Sequence, residues 1–326
     1  MTKMYEICVY GAGSWGTAIA NLLAKKNLNV CLCARDEKLI ETMQASYQND
    51  KYLKGVHLSQ NLVFDTPKNS SIGIFAVPVK YLRGFIKQFS IKVDFALSLS
   101  KGIEEKTFLT PSGILIETLG ITKEQFAVLS GPNFALEVAL ELPTASVVAS
   151  CNKKLAKRFQ NMFNTMYFRV YTSLDYIGIE YLGALKNILA IACGISDGLN
   201  LGQNARAALI TRGVAEITRI FKFFGGKNKT MLGLAGIGDI ILTTTGNLSR
   251  NRMLGLKLAQ GLPIDEILSQ LKGIPEGYNT VMAVFEFSKK YSIETPIINE
   301  IYNIIVNKKD PFESITALMS RPLKSE

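Results

Sequence analysis

The chain is poor in the side chains that usually announce metal or histidine chemistry. One histidine, one tryptophan and five cysteines stand among its 326 residues. The histidine, His57, lies in a polar loop and reads as an incidental loop residue rather than half of a catalytic dyad. Cys8, Cys31, Cys33, Cys151 and Cys193 are scattered in apolar contexts. Cys31 and Cys33 share a face of an expected strand, but no second pair or histidine cluster completes a metal site, so packing is the expectation and metal binding is not. Long uninterrupted apolar runs are also missing. The best candidate, about Ile177 to Leu201, is broken by Glu180, Lys186, Asn187 and Asp197, and no membrane span is expected. The opening MTKMYEICVYGAG has no long apolar core before a cleavage site. It reads as a strand, and a cytoplasmic location follows. There is no internal repeat, no low-complexity segment and no basic run. The net charge is +10, but it is dispersed, and its densest cluster (Lys153, Lys154, Lys157, Arg158) falls on one polar helix face. That argues against nucleic acid as partner and leaves steering of small anions.

What remains is a globular composition, 48% hydrophobic and 20% charged, in a chain long enough for two ordinary domains. Strand-like runs at Glu6–Tyr10, Asn29–Cys33, Ile72–Pro78, Val93–Ser100 and Phe126–Gly131 each end in a turn signal and lead into a helical pattern. The runs ASVVAS and Tyr167–Tyr171 extend the series. Strands alternating with helices mean a parallel, doubly wound sheet of the Rossmann type. From about Leu174 only helical patterns follow. The expected class is α/β plus all-α: a nucleotide-binding half over residues 1–178 and an all-helical half over residues 179–326.

Gly11-Ala12-Gly13-Ser14-Trp15-Gly16 follows the first strand and opens a helix, the context in which GxGxxG points to a dinucleotide. Gly11 permits the turn, Gly13 lets backbone approach a pyrophosphate, and Gly16 lets helix and strand pack closely. After the second strand comes Arg35, suited to stack on adenine or pair with a 2′-phosphate, and Asp36, either a ribose reader or the start of a helix. NADP, or use of both cofactors, is therefore expected over strict NAD. Lys101 and Gly102 follow a strand end, where ligands of doubly wound sheets bind. A lysine there serves a phosphate or a reacting carbonyl, or is an ordinary loop lysine. Gly131, Pro132 and Asn133 repeat that geometry, with Pro132 at a first helical position and free N–H groups for an anion or the nicotinamide edge. Further on, Asp239 is a lone acid in an apolar segment, and Ser249 caps a helix bearing Arg250 and Asn251, a natural phosphate site. Lys186 stands in the middle of YLGALKNILAIACG with Asn187 beside it. It either snorkels to water or does chemistry.

GAGSWGTA, LSKGIE, SGPNFA, GALKN, the run Gly194–Gly213, GIGD, SRNR and EGY occur here in one order over nearly the whole chain. In this the sequence resembles the bacterial-type NAD(P)-dependent glycerol-3-phosphate dehydrogenases. The resemblance implies reduction of dihydroxyacetone phosphate to sn-glycerol 3-phosphate for phospholipid synthesis. It implies that Ser14, Trp15, Arg35, Lys101, Ala135, Arg250 and Glu276 contact the cofactor. It places Lys101, Gly131, Asn133, Asn187, Asp239, Ser249, Arg250 and Asn251 at the substrate, with Lys186 as proton donor and acceptor. In such a site burial lowers the Lys186 pKa, while Asp239 and Lys101 act on it in opposite directions. A homodimer is the prior for assembly. Cys33, Asn133, Leu136 and Pro275 depart from the usual residues of the resembled family.

Overall fold

The computed structural model describes residues 5–271 and 273–323. The strands are β1 Tyr5–Tyr10, β2 Val30–Cys33, β3 Gln48–Asn49, β4 Leu53–His57, β5 Leu62–Asp65, β6 Ser70–Phe75, β7 Val93–Ser98, β8 Phe126–Ser130, β9 Thr144–Ala149 and β10 Phe168–Ser173. Eight of them form one sheet in the order β10-β9-β8-β7-β6-β1-β2-β5, while β3 and β4 pair as a small hairpin. The helices of this half are α1 Ser14–Lys25, α2 Glu37–Ser46, α3 Val79–Phe89, α4 Pro111–Leu119, α5 Ala135–Ala139 and α6 Lys153–Phe163. Continuous runs such as the fully buried β2 mark a sheet covered on both faces.

The sheet differs from a purely parallel one. β8 and β9 pair antiparallel, so β9 and β10 run against the other six strands. The short connection through α5 makes this possible, because an antiparallel partner needs no full crossover. The β3–β4 hairpin and edge strand β5 lie where the sequence reads as loop and turn. His57, expected in a loop, ends β4 and is exposed.

After β10 the described chain is helical: α7 Tyr176–Gly198, α8 Gly202–Phe223, α9 Asn228–Met231, a π-type turn at Leu234–Gly238, α10 Asp239–Thr245, α11 Arg250–Ala259, α12 Ile264–Gln270, α13 Glu276–Lys290, α14 Pro296–Val306 and α15 Pro311–Met319. The axis of this half is α7. Its polar residues do not break it: it runs 23 residues, with an 18-residue window of mean hydropathy 1.3, long and apolar enough to cross a membrane by length and composition alone. The reason is burial inside protein, since 94% of its most apolar window is covered by the fold. It is the core helix around which α8, α10, α11 and α13 pack.

Candidate active site

Parallel strands put their carboxyl ends along one edge, where the segments after β1, β6, β7 and β8 gather. The glycine loop is shaped for close approach. Gly11 has φ +107°, and a Cβ there would meet the Ala76 carbonyl at 2.7 Å. A Cβ on Gly16 would lie 2.0 Å from the Gly11 carbonyl. Gly13, by contrast, faces open space. It is the N-cap of α1, with no side-chain cap and no acid in the first turn, so the N–H groups of Ser14 and Trp15 lie at a helix end suited to an anion. These residues fit a dinucleotide pyrophosphate. Arg35 is exposed at the end of β2. Asp36 is committed elsewhere: it caps α2 through Leu39 N–H at 3.3 Å and pairs with Lys51 at 3.1 Å.

The centre of the site is a carboxylate between two ammonium groups. Asp239, at the start of α10, is 1% exposed. Its Oδ1 accepts from Lys186 Nζ at 2.5 Å and its Oδ2 from Lys101 Nζ at 2.8 Å. Lys101 also donates to the Gly131 carbonyl at 3.4 Å, which joins the ends of β7 and β8 to the helical half. Lys186 donates to Thr243 Oγ1 at 2.6 Å, and that hydroxyl in turn donates to the Asp239 carbonyl. An ammonium has three N–H donors. Two on Lys186 are fixed by Asp239 and Thr243, which aims the third. Burial pulls the Lys186 pKa down to about 8, with Asp239 opposing and Lys101 reinforcing the fall. Burial pushes the Asp239 carboxyl up, but the two lysines outweigh it and hold it below its ordinary value. Lys186 therefore does not snorkel. At 6% exposure it is sealed in α7 with a partner on another helix.

The next residue of α7, Asn187, links that helix to the start of α11. Asn187 Oδ1 accepts from Asn251 Nδ2 at 3.0 Å, and Asn251 Oδ1 accepts from Gly277 N–H at 2.9 Å. This amide chain ties α7, α11 and α13 together. Ser249 caps α11 by accepting from Arg252 N–H at 3.2 Å, with Arg250 exposed on the first turn. Glu276, the first residue of α13, accepts from Val79 N–H at 3.3 Å and lies against Gly102. Burial raises its pKa to about 7, against the opposing Val79 N–H and Arg250 charge.

Three details differ from the sequence reading. Pro132 is not a first helical residue, since α5 starts at Ala135 after the extended Phe134. The side chain of Asn133 turns back to the sheet, donating one amide N–H to Ser146 Oγ at 2.8 Å, so only its second amide N–H is left for an anion. Cys8 joins Cys31 and Cys33 in a buried group whose sulfurs lie within 4.8 Å of one another. That cluster was invisible in sequence because its third member comes from the neighbouring strand. Thr243 is the site residue the sequence reading missed. Within LTTTG it looks like a helix hydroxyl bonding its own backbone, and only the spacing Asp239-x-x-x-Thr243 hinted that both share one helix face.

A dinucleotide loop on a doubly wound sheet, facing a buried lysine on an all-helical half, defines the two-domain NAD(P)-dependent dehydrogenases. Two family profiles match in tandem: "NAD-dependent glycerol-3-phosphate dehydrogenase N-terminus" over residues 6–156 and "NAD-dependent glycerol-3-phosphate dehydrogenase C-terminus" over residues 175–316. The chain belongs to the NAD-dependent glycerol-3-phosphate dehydrogenase family. A glycerol-3-phosphate dehydrogenase, NAD(P)+, of Solidesulfovibrio magneticus is 44% identical, with 98% of this chain and 100% of that one aligned. The Syntrophotalea carbinolica protein of the same name is 43% identical over 98% and 99%. The crystal structure of glycerol-3-phosphate dehydrogenase from Coxiella burnetii superposes with a TM-score of 0.91 at 36% identity, covering 98% and 99% of the two chains.

Proposed function

We propose that this chain reduces dihydroxyacetone phosphate to sn-glycerol 3-phosphate with NADPH or NADH, NADPH being favoured, and so supplies the glycerol phosphate unit of phospholipids. The observation that carries the reading is the buried Lys186, held by Asp239 and Thr243 with its pKa near 8. The bound reduced nicotinamide supplies the hydride that reaches C2 of the substrate. As charge develops on the C2 oxygen, Lys186 hands over a proton from its third N–H, and the lysine charge stabilises the oxyanion beforehand. A pKa near working pH lets the same amine take the proton back in the reverse direction. Asp239, with one oxygen on each lysine, holds the ammonium groups of Lys101 and Lys186 in fixed orientation. Arg250 at the start of α11 grips the phosphate, and that remote binding energy places the carbonyl. Asn187 and Asn251 hold α7 and α11 in register beneath it.

Ser14, Trp15, Arg35, Ala135 and Glu276 complete the cofactor side in this reading, and Gly131, Asn133 and Ser249 shape the substrate side. Asn133 acts there through its second amide N–H, the first being given to Ser146. The two units are residues 1–178 and 179–326, a boundary that falls in the first turn of α7. The reading includes a cytoplasmic location, no nucleic-acid partner and no stable membrane anchoring, with a homodimer kept only as the prior for assembly. Its support is the dispersal of the basic residues and the burial of α7 inside the fold. The test is oxidation of NADPH and of NADH with dihydroxyacetone phosphate, followed by absorbance. Turnover that requires the phosphorylated ketone supports the assignment, and none with either cofactor removes it.

A further inference from the structure

The run Gly194–Gly213 carries an acid, Asp197, that the chemistry above does not use. It sits in the last turn of α7, where a carboxylate opposes the negative end of its own helix. Its side chain is only 8% exposed. The start of α11 has the mirror-image misfit. Its first turn holds Arg250 and Arg252 and no acid, at the positive end of a helix. The two misfits meet. Asp197 Oδ2 accepts from Arg252 Nε at 2.8 Å and lies 2.6 Å from Nη2, so both nitrogens of one guanidinium edge converge on a single carboxylate oxygen. Arg206, near the start of α8, brings its Nε to 2.7 Å from Oδ1. Arg252 is bolted from other directions too: Nη1 donates to Asn247 at 3.2 Å and its backbone N–H to Ser249 at 3.2 Å. Beneath these contacts α7 and α11 touch backbone to backbone. A Cβ on Gly194 would stand 2.1 Å from the Arg252 carbonyl, and one on Gly255 2.1 Å from the Ile191 carbonyl. Glycine contacts allow that approach but do not fix how far one helix slides along the other. A nearly buried carboxylate with one oxygen against each of two arginines does.

We propose that Asp197 is a positioning residue for the phosphate end of the site. Through Arg252 it fixes the first turn of α11, so that Arg250 and Asn251 meet the phosphate from a rigid frame. This rests on the function proposed above. Asp197→Asn keeps the size of the side chain and removes its charge. The measurement is kcat/KM for dihydroxyacetone phosphate and for dihydroxyacetone, which lacks the phosphate, together with NADPH affinity by fluorescence titration. The ratio of the two kcat/KM values falls at least tenfold in Asp197→Asn, chiefly through the KM for the phosphorylated ketone, while NADPH affinity stays within twofold. Arg252→Gln gives the same fall, the double variant is no worse than Arg252→Gln alone, and Asp197→Glu recovers part of it. An unchanged ratio overturns the proposal. So does a lower KM for the phosphorylated ketone, which removal of negative charge alone would give. Equal losses on both ketones, or lost NADPH binding, also overturn it as general damage. A wild-type enzyme with no preference for the phosphorylated ketone would strike earlier, at the phosphate reading itself, and take this proposal with it.

Discussion

Several helix starts close themselves with an N-cap side chain, as α2 and α11 do; the starts of α1, α3, α4 and α14 do not, and they differ in what closes them. α3, α4 and α14 have no side-chain N-cap and no acid in the first turn. Each is closed from elsewhere. Glu276 accepts from Val79 N–H at the start of α3. Glu180 accepts from Ser112 N–H and Thr110 Oγ1, both at 2.8 Å, at the start of α4. Glu216 accepts from Ile297 and Ile298 N–H, both at 2.9 Å, at the start of α14. α1 has the same local deficit, yet among the described residues no carboxylate is hydrogen-bonded there. α11 carries arginines instead of an acid. The electrostatic demand is the same at every helix start. At α3, α4 and α14 the fold supplies the acceptor and the end is closed; at α1 it supplies none among the described residues, which suits that end to an anion. Glu180 and Glu276 also cross from the helical half to the sheet half, so two of these closures hold the two halves of the site together.

The contrast is sharpest where function and stability part company. Lys186→Ala removes the proton donor but leaves Asp239 paired with Lys101. Turnover falls by about 10³-fold or more, the upper part of the range for a general acid, with NADPH affinity and thermal midpoint close to wild type. Turnover near wild type would end the lysine's role. Gly13→Asp converts an open helix start into a closed one. A side chain at Gly13 meets nothing within 4 Å and its backbone is extended, so aspartate fits as an N-cap. NADPH affinity falls at least tenfold, because the new carboxylate occupies the anion's place, while the fold gains only a few tenths of a kcal/mol, roughly the difference between aspartate and glycine as caps. If the variant binds NADPH as well as wild type does, α1 is not the phosphate end.

These roles were unevenly legible. The glycine loop could be read because a positive φ and a missing Cβ are local requirements, written into Gly11 and Gly16 themselves. Lys186 stood out because an ammonium in an apolar helix needs an explanation. Asp239 lies 53 residues away and was found by its own isolation in an apolar run. Thr243 was not, since a threonine in a helix has an adequate local explanation. The closure by Glu216 was unreadable for a further reason: its partners are backbone N–H groups, which every residue but proline carries. Strand direction was hidden as well, because β9 has the same composition whichever way it runs. The β3–β4 hairpin and β5 are short, and their polar exposed positions read as turn.

The structural side of the contrast has its own tests, with smaller effects. Glu216→Ala leaves two buried N–H groups without an acceptor and costs roughly 2 kcal/mol, seen as a lower urea midpoint with unchanged kcat and KM. Altered KM would mean that α14 reaches the site after all. The subtlest effect is on pH. Burial raises the Glu216 pKa from 4.5 to about 7, more than the Ile298 and Ile297 N–H groups lower it. In this window the folded state binds more protons than the unfolded one. Stability is therefore greatest below pH 4.5 for this group and declines as pH rises to about 7, by roughly 3 kcal/mol in total at 1.36 kcal/mol per unit. Glu180 and Glu276 are raised to about 7 by burial and add slopes of the same sign. Urea unfolding from pH 5 to 8 should show this decline in the wild type and a slope shallower by one proton in Glu216→Gln. An identical slope in the variant would mean that the α14 closure is ionised throughout, and that a helix start alone can hold a buried carboxylate charged.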